Sequence, residues 1–400
     1  MKNPDLLSPS LRTDLVNFTQ HLVRTKSLSG DEQKVISIVK KKMIDLGYDD
    51  VVVDSMGNVV GRIGDGDTAI LFDSHVDTVD VQDEDEWEVP PFSGKIVDGK
   101  LWGRGSVDMK SGAAASVYAG AVARKNGLDA KITLYVSCTV MEEDCDGENL
   151  KHAFQELDLR PNFVVICEPS GNLITLGHKG KAQLSIKTHG VSAHGSAPEK
   201  GVNAIYEMAE IIQRVEQCNQ DLIKRGHPRG TLVMSKIASK SASLNAVPSE
   251  CEAYLDRRMV PGETEDAVKK EMERILNGKN AIWEVGTLVR QSWTGMKVQY
   301  EPFHLAWEID KNHELTQNCI AAYQKVFGRH PSKFDFWDFS TNAVTPVRLG
   351  IPTIGFGPGE YKMAHMRNER CDISQIVDAC AFYAQLALCM GSSAYRLEGR

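Results

Sequence analysis

The 400-residue sequence has few of the features that would direct a protein to a membrane or to nucleic acid. No apolar run reaches the length of a membrane span, and the first residues do not resemble a secretory signal. Basic residues form no cluster, and a net charge of −8 disfavours nucleic acid as the main partner. Nine cysteines, an odd number without any Cys-x-x-Cys spacing, suit a reducing compartment better than a disulfide framework. We therefore expect a cytoplasmic protein that binds neither a membrane nor nucleic acid.

The remaining composition is that of an ordinary globular protein, with 42% hydrophobic and 25% charged residues. A chain of 400 residues exceeds what a single hydrophobic core usually organises. The length therefore predicts two domains.

The most informative stretch is 101–112, which places Asp108 where a strand gives way to a helix. Gly103 and Gly105 allow a tight turn, and the alanine-rich run that follows predicts a buried helix. Such a turn could also cradle a phosphate. However, neither a dinucleotide fingerprint nor a Gly-Lys-Ser/Thr ending is present. Asp108 taken alone could simply cap the helix.

Two apolar strands end in further candidate ligands. The run 69–79 contains His75 and Asp77, and because residues i and i+2 share a face of a strand, Asp77 is expected to fix the tautomer of His75. The next buried strand is followed by the adjacent Glu142 and Glu143, which we expect to point to different sides of a strand end. One could bind a metal ion while the other acts on water, although an acidic pair alone is typical of a solvated strand end.

Two more candidates come later in the chain. The apolar run 162–170 carries Glu168, and His365 lies in a loop after Gly-Pro-Gly. A single histidine such as His75 or His365 is more often structural than metal-bound. In open α/β sheets, however, ligands gather beyond the carboxyl ends of the strands. Several apolar strands that all end in carboxylates or imidazole therefore predict a divalent-metal site.

In chain order, these motifs resemble those of the co-catalytic zinc amidohydrolases. That family includes acetylornithine deacetylase, succinyl-diaminopimelate desuccinylase, the aminoacylases and related carboxypeptidases and dipeptidases. The resemblance extends over about residues 10–392, and the segment 337–342 most resembles the YgeY/HyuC-type hydrolases. The motifs are Ser-His75-Val-Asp77, Gly-Arg-Gly-Ser-Val-Asp108-Met-Lys-Ser-Gly, Glu142-Glu143, Glu168-Pro-Ser and Ala-His365.

The resemblance implies a site with two divalent metal ions, zinc in the first place, with cobalt or manganese as alternatives. It assigns the ions five ligands, with Asp108 as the bridge: His75 and Glu168 on one ion, Glu143 and His365 on the other. It also implies that Glu142 is the general base for a metal-bridged water and that Asp77 orients His75.

The pattern of elements changes after residue 180. From 181 to 295 the predicted order is βαββαβ, which is the ferredoxin-like unit. We therefore expect an α/β protein in which 1–180 and 296–400 form the metal-binding catalytic domain, with 181–295 inserted. The resemblance implies a zinc-exopeptidase-like catalytic domain with a central mixed sheet flanked by helices, and a lid that forms a homodimer.

Three residues of the inserted unit are candidates for catalysis or substrate binding. In the family, the histidine matching His194 polarises the scissile carbonyl, often in the partner's site, whereas the sequence alone suggests a loop histidine. The residues matching Asn245 and Arg258 contact the substrate, the arginine often through a carboxylate. Without the resemblance, Asn245 could form a turn and Arg258 could be a surface charge.

One loop departs from the family pattern. Where many relatives carry Gly-Gly-Thr-Asp-Ala, this chain has Phe339 to Ala343, with Asn342 in the place of the aspartate. Because that loop lies beside the substrate's acid end in the family, we expect the change to alter the substrate rather than the reaction.

The sequence thus predicts a metal-dependent hydrolase of an amide bond in a small N-acyl or N-carbamoyl amino acid or a short dipeptide. The alternative is a catalytically inactive relative that binds metal and acts as a ligand-binding or regulatory protein, although such a protein has no use for a general base. A remoter alternative is redox or thiolate chemistry at Cys138, Cys145 or Cys167, for which the spacing favours incidental buried thiols.

Overall fold

The computed structural model of the protein describes residues 6–226 and 228–392, with helices on a large mixed sheet and on a second, smaller sheet. The helices are α1 Pro9–Arg24, α2 Gln33–Asp45, α3 Lys110–Lys125, α4 Glu142–Cys145, α5 Glu148–Glu156, α6 Ala204–Lys224, α7 Glu265–Leu276, α8 Glu314–Phe327, α9 Val344–Arg348 and α10 Ile373–Ser392. The strands are β1 Asp50–Val53, β2 Val59–Ile63, β3 Thr68–His75, β4 Lys95–Val97, β5 Lys100–Trp102, β6 Ile132–Thr139, β7 Phe163–Ile166, β8 Thr175–His178, β9 Gly180–His189, β10 Thr231–Lys240, β11 Glu250–Met259, β12 Ala281–Val285, β13 Leu288–Gln291, β14 Lys297–Tyr300, β15 Phe303–His304, β16 Trp307–Glu308, β17 Asp335–Trp337, β18 Thr353–Gly355 and β19 Arg370–Asp372.

The large sheet has the order β1-β2-β6-β3-β7-β18-β8-β16, and β17 also pairs with β8. Its centre is parallel, because β6 and β7 flank β3 in parallel and β18 pairs with β7 in parallel, while the pairs at both ends are antiparallel. Strands β3 and β6 are buried almost throughout. This is what continuous apolar runs predict for strands covered on both faces. The predicted central mixed sheet flanked by helices is therefore confirmed.

Small residues explain how the helices pack on this sheet. Helix α3 is rich in alanine and glycine and is buried over nearly its whole length. Helix α10 lies in the same hydrophobic core. The segment Ile373–Gly391 is long and apolar enough to cross a membrane, so the expectation that no run reaches this length is wrong. However, 61% of its apolar window is buried inside the protein, as expected for a core helix.

The smaller sheet has the order β10-β11-β9-β12, with β15 also paired to β9. Its main elements follow one another as βαββαβ, namely β9, α6, β10, β11, α7 and β12. They enclose a hydrophobic cluster of their own, which includes Leu184, Met208 and Leu255. The domain boundaries at 181 and 295, and the role of this unit as a lid, stay predictions.

One predicted strand of this unit is divided in two. The sequence predicts a single strand over 281–289, but β12 pairs with β9 only as far as Val285, and β13 starts at Leu288. Strand β13 then pairs with β14 in a separate two-stranded sheet. The break between Val285 and Leu288 was not visible in the apolar pattern, since the residues on both sides of it are typical of a strand.

Candidate metal centre

The parallel strands of the large sheet bring several predicted ligands to one edge. His75 ends β3 and lies opposite Thr139, the last residue of β6, so Glu142 and Glu143 follow just beyond the same edge. Glu168 comes two residues after the end of the neighbouring strand β7. This is the edge at which open α/β sheets bind ligands.

Asp108 lies between the two predicted histidine ligands. Its Oδ1 is 3.0 Å from Nε2 of His75, and its Oδ2 is 3.2 Å from Nε2 of His365. Each carboxylate oxygen thus faces a different imidazole, which is the arrangement that a bridging carboxylate requires.

The glutamates divide between the same two histidines. Both carboxylate oxygens of Glu143 lie 3.0 Å from Nε2 of His365. Glu168 Oε1 is 3.6 Å from Nε2 of His75, and Glu142 Oε2 is 3.9 Å from the same nitrogen.

The potential ligand atoms form two groups, and within each group all of these atoms lie within 4.8 Å of one another. One group is His75 with Asp108 and Glu143, and the other is His75 with Glu142 and Glu168. Carboxylates and imidazoles are the donors that divalent zinc, cobalt and manganese accept, so the residues fit such ions. Because Glu142 lies within one of the groups, distance alone does not separate a base from a ligand at this position.

The pKa values of the clustered residues also favour a site for cations. Burial, followed by the charges of neighbouring carboxylates, raises the pKa of Glu168 well above its usual value, and burial raises that of Glu142 likewise. Hydrogen bonds with Asp108 and Glu143 raise the pKa of His365 to about 11. Burial disfavours the charge on His75, but hydrogen bonds with carboxylates outweigh it and raise its pKa. A buried group of carboxylates that holds nearby imidazoles protonated is a strong site for cations.

Asp77 supports both the histidine and the glutamate pair. Its Oδ1 lies 3.3 Å from Nδ1 of His75, as the sequence pattern predicts. It also accepts hydrogen bonds from the backbone N–H groups of Glu142, at 3.1 Å, and Glu143, at 3.2 Å, and from the hydroxyl of Ser29, at 2.7 Å. One buried carboxylate thus orients groups from three segments.

The glutamate pair does not end a strand, so that detail of the prediction is wrong. Glu142 and Glu143 open the short helix α4, after Met141 has turned the chain with a φ of 58°. The buried Glu32 fixes this turn, since its Oε1 accepts from the backbone N–H groups of Met141, at 3.0 Å, and Gly30, at 2.9 Å. Successive residues of a helical turn still point in different directions, which keeps the two carboxylates apart.

Sequence reasoning missed the pair that holds the Asp108 turn. Arg104 Nη1 donates to Glu369 Oε2 at 2.5 Å, and Arg104 Nη2 donates to the carbonyl of His365 at 3.3 Å. Glu369 Oε1 accepts from the backbone N–H groups of Val107, at 2.7 Å, and Asp108, at 3.1 Å. Both side chains are buried and tie together the loops that carry two of the ligands. Arg104 lies inside the quoted Gly-Arg-Gly motif, which was the available signal for it, whereas Glu369 follows His365 outside the quoted motifs.

The cluster opens into a cavity of about 320 Å³, which suits a small ligand. Its wall also carries Lys181 and Arg258 from the smaller sheet. The aromatic rings of Phe339 and Tyr361 also line it, with their centroids 6.0 Å apart. The lining consists of Asp108, Glu142, Glu143, Asp146, Glu168, Lys181, Arg258, Phe339, Ser340, Tyr361, Ala364 and His365.

Two predicted residues lie elsewhere. His194 and Asn245 are exposed and do not line this cavity. They are neighbours of each other, because His194 forms a β-bridge with Ala246 and the N–H of Gly195 donates to the carbonyl of Asn245 at 2.6 Å. Within the described single chain, the structure therefore brings Arg258 to the metal cluster but not the other two.

The loop that departs from the family pattern has two parts. Phe339 faces the cavity, whereas Asn342 is buried behind it. Asn342 Nδ2 donates to Asp73 Oδ2 at 2.9 Å and to Thr139 Oγ1 at 3.1 Å, and its Oδ1 accepts from the N–H of Gly147 at 2.9 Å. The amide thus satisfies a buried carboxylate, and in this part of the loop only the phenylalanine and Ser340 can touch a ligand.

The cysteines take no part in the metal cluster. All nine are buried and, within the described residues, none forms a disulfide and neither candidate ligand group includes one. Burial raises the pKa of Cys145 to about 12 and that of Cys138 well above its usual value, so these thiols stay protonated. This disfavours the thiolate and redox alternatives.

The fold and this site together define a metallohydrolase that acts on peptide or amide bonds. The chain belongs to the peptidase family M20/M25/M40, whose model matches residues 71–388. The predicted family resemblance is thereby confirmed.

Individual relatives agree with this assignment. The chain is 37% identical to the uncharacterized protein YgeY of Escherichia coli K12, over 94% of each chain. Among solved structures, aminopeptidase PepT from Bacillus cereus matches with a TM-score of 0.71 at 20% identity, covering 96% of this chain and 99% of PepT. The Bacillus subtilis YxeP protein, a dinuclear metal-binding peptidase of the M20 family, matches with a TM-score of 0.70 at 15% identity, covering 96% and 99%.

Proposed function

We propose that the protein uses two divalent metal ions, zinc in the first place, to hydrolyse an amide bond in a small N-acyl or N-carbamoyl amino acid or a short dipeptide. The observation that carries this proposal is the position of Asp108, with one oxygen toward His75 and the other toward His365. The cavity of about 320 Å³ supports a small substrate.

In this proposal, His75 and Glu168 hold one ion, Glu143 and His365 hold the other, and Asp108 bridges them. When bound, such a pair of ions lowers the pKa of a water molecule and polarises the carbonyl under attack.

Glu142 is the proposed proton carrier. It accepts the proton of the attacking water and then passes it to the leaving amine, so that no covalent intermediate with the protein is needed. In the metal-free protein, burial beside other carboxylates raises its pKa. Asp77 keeps His75 oriented and anchors the turn that carries this base.

The proposed substrate contacts come from the smaller sheet. Arg258 lines the cavity and is assigned to the substrate's carboxylate. His194 and Asn245 lie together outside the cavity of their own chain, and we assign them to the site of a second protomer.

A homodimer would place His194 and Asn245 of one protomer at the site of the other. Strand β10 stands at the edge of its sheet, with Val233 and Ile237 about half exposed and Leu244 fully exposed in the loop that follows. An apolar edge strand of this kind favours pairing with another chain. The nine buried cysteines, none of which forms a disulfide in the part of the chain that the structure describes, support a reducing, cytoplasmic location.

The test is amine release from a panel of N-acetyl, N-succinyl and N-carbamoyl amino acids and dipeptides. Metal-stripped protein is assayed alone and after addition of zinc, cobalt or manganese, with metal content measured in parallel. Activity that returns when metal is added supports the proposed hydrolase function, and the compound that is hydrolysed identifies the acyl group. If none of the panel compounds is hydrolysed although two ions are bound per chain, the proposed substrates are contradicted and the alternative, an inactive ligand-binding relative, is favoured.

A further inference from the structure

Two cationic side chains of the smaller sheet face the metal cluster side by side. Lys181 on β9 and Arg258 on β11 are direct cross-strand partners in the antiparallel ladder. Directly opposite residues of such a ladder project from the same face, with Cβ atoms about 5 Å apart. Both line the cavity that also contains the candidate metal ligands.

Each cation has its own carboxylate, which explains how two like charges coexist there. Arg258 donates through Nε to Asp256 Oδ1 at 2.7 Å and through Nη2 to Asp256 Oδ2 at 3.1 Å. In the part of the chain that the structure describes, its Nη1 makes no hydrogen bond. Lys181 Nζ lies 2.6 Å from Asp146 Oδ1, and Tyr300, whose hydroxyl also donates to Asp146, lies beneath the ammonium group.

Away from the proposed metal ions, the cavity offers one pair of cationic side chains to an anionic part of a ligand. Apart from His365, which is assigned to a metal ion, the cavity lining has no cationic side chain besides Lys181 and Arg258, and its remaining charged groups are carboxylates. A substrate carboxylate that does not bind the ions is therefore attracted to Lys181 and Arg258. The ammonium group of Lys181 has three donors, and Asp146 needs only one of them.

We propose that Lys181 is a specificity-determining residue that forms, together with Arg258, a two-cation subsite for a carboxylate of the substrate. The inference rests on the proposed function, and it names the side chains that recognise the free carboxylate of the proposed amino-acid and dipeptide substrates. Arg258 supplies the planar Nη1 edge and Lys181 a second charge, so an acid is selected over its neutral carboxamide.

The rival explanation is structural. Asp146 follows the helix that carries Glu142, whereas Lys181 belongs to the smaller sheet, so their ion pair could serve only to join the two units. A structural role predicts equal damage for charged and neutral ligands. A carboxylate-binding role predicts damage for the charged ligand alone.

The experiment compares Lys181→Met, Lys181→Arg and the double variant Asp146→Asn/Lys181→Met with the wild type. In the single variant Lys181→Met, the buried carboxylate of Asp146 loses its cationic partner, which could destabilise the fold. The double variant also removes that carboxylate, so it separates a folding defect from a loss of ligand binding. Lys179→Met is the matched control, because Lys179 is also buried and pairs with Asp338 at 2.6 Å but does not line the cavity.

Two readouts are taken. The first is kcat and KM for the best acid substrate and for its carboxamide. The second is calorimetric binding of N-methylsulfonylglycine, whose S–N bond this chemistry does not cleave, and of its carboxamide.

We expect Lys181→Met and the double variant to weaken the acid ligand and raise its KM by about tenfold to a hundredfold, with kcat nearly unchanged. Lys181→Arg restores most of the affinity, while the carboxamide and the Lys179→Met control show no such selective change. Equal losses for acid and carboxamide, or a fall in kcat at constant KM, would overturn the proposal. The binding readout is independent of turnover, so an acid preference without any hydrolysis refutes the proposed function and leaves the subsite standing.

Discussion

Replacing Glu142 by alanine is the sharpest test of how the site divides its carboxylates. The proposal makes Glu142 the base and Glu143 a ligand, yet the two are adjacent on one helical turn and both belong to candidate ligand groups. Glu142 Oε2 is 3.9 Å from His75 Nε2, farther than the nearest oxygens of Asp108 at 3.0 Å and Glu168 at 3.6 Å. Distance alone does not decide between base and ligand, but because the proposal assigns Glu142 to the base and not to the ligands, we expect its loss to leave the ions in place.

The size of the rate effect follows from its role. A positioned general base contributes about 10²–10⁴ in rate, so kcat falls by that factor, equivalent to about 2.7–5.5 kcal/mol in activation free energy. The fold should survive, because burial and the nearby charge of Glu168 make the ionised carboxylate unfavourable in the metal-free protein. The melting temperature of metal-free Glu142→Ala is therefore expected to equal or exceed that of the wild type.

The assay pairs turnover with metal content measured by mass spectrometry after dialysis. Glu143→Ala is the contrast and should lose metal from the His365 side. Glu148→Ala, which removes a carboxylate that pairs with Lys151 outside the cavity, should change neither quantity. If Glu142→Ala holds less metal than the wild type, Glu142 is a ligand and the assignment is wrong.

Three further predictions concern groups around the site. Glu369→Gln keeps the shape but removes the charge that holds the Asp108 turn, so metal affinity should fall by about 10- to 100-fold in a chelator-competition titration. Burial lowers the pKa of His178 to about 4, because the folded protein disfavours the protonated imidazole. Above the usual pKa of histidine this group therefore leaves the free energy of unfolding at its full value, and that free energy decreases as the pH falls below it. That loss is about 2 kcal/mol by pH 5, and His178→Asn should remove it in urea unfolding of the metal-free protein at pH 7 and pH 5. Asn342→Asp would set a second carboxylate against the buried Asp73, lowering the free energy of unfolding by about 3 kcal/mol; an unchanged urea midpoint would contradict this.

The elements that form the metal edge could be predicted because they are long and apolar. Strands β3 and β6 and helix α3 have continuous patterns, and their ends mark the positions of His75 and Asp108 closely. Very short strands such as β15 and β16 were not predicted, since two residues carry no periodicity. They form only because an existing strand offers them a partner.

The parts of the site that sequence reasoning missed depend on distant contacts. The turn that opens at Met141 is fixed by Glu32, 109 residues away, and no local preference reports such a bond. Arg104 and Glu369 are separated by 265 residues. The pairing of Lys181 with Arg258 depends on strand register, which a sequence pattern does not specify to the residue.

The location of these groups separates the reaction from the choice of substrate. The candidate ligands stand at strand ends and on rigid turns of the large sheet, where the buried carboxylates of Asp77 and Glu369 lock them. The cations that we propose as the substrate's partners belong to β9 and β11 of the other sheet, and a single residue, Lys179, joins β8 to β9. A substitution on the smaller sheet can therefore change which acid is bound without moving a metal ligand. A substitution at Asp108 removes the carboxylate that we propose as the bridge between both ions, and so it should abolish hydrolysis of every substrate in the panel.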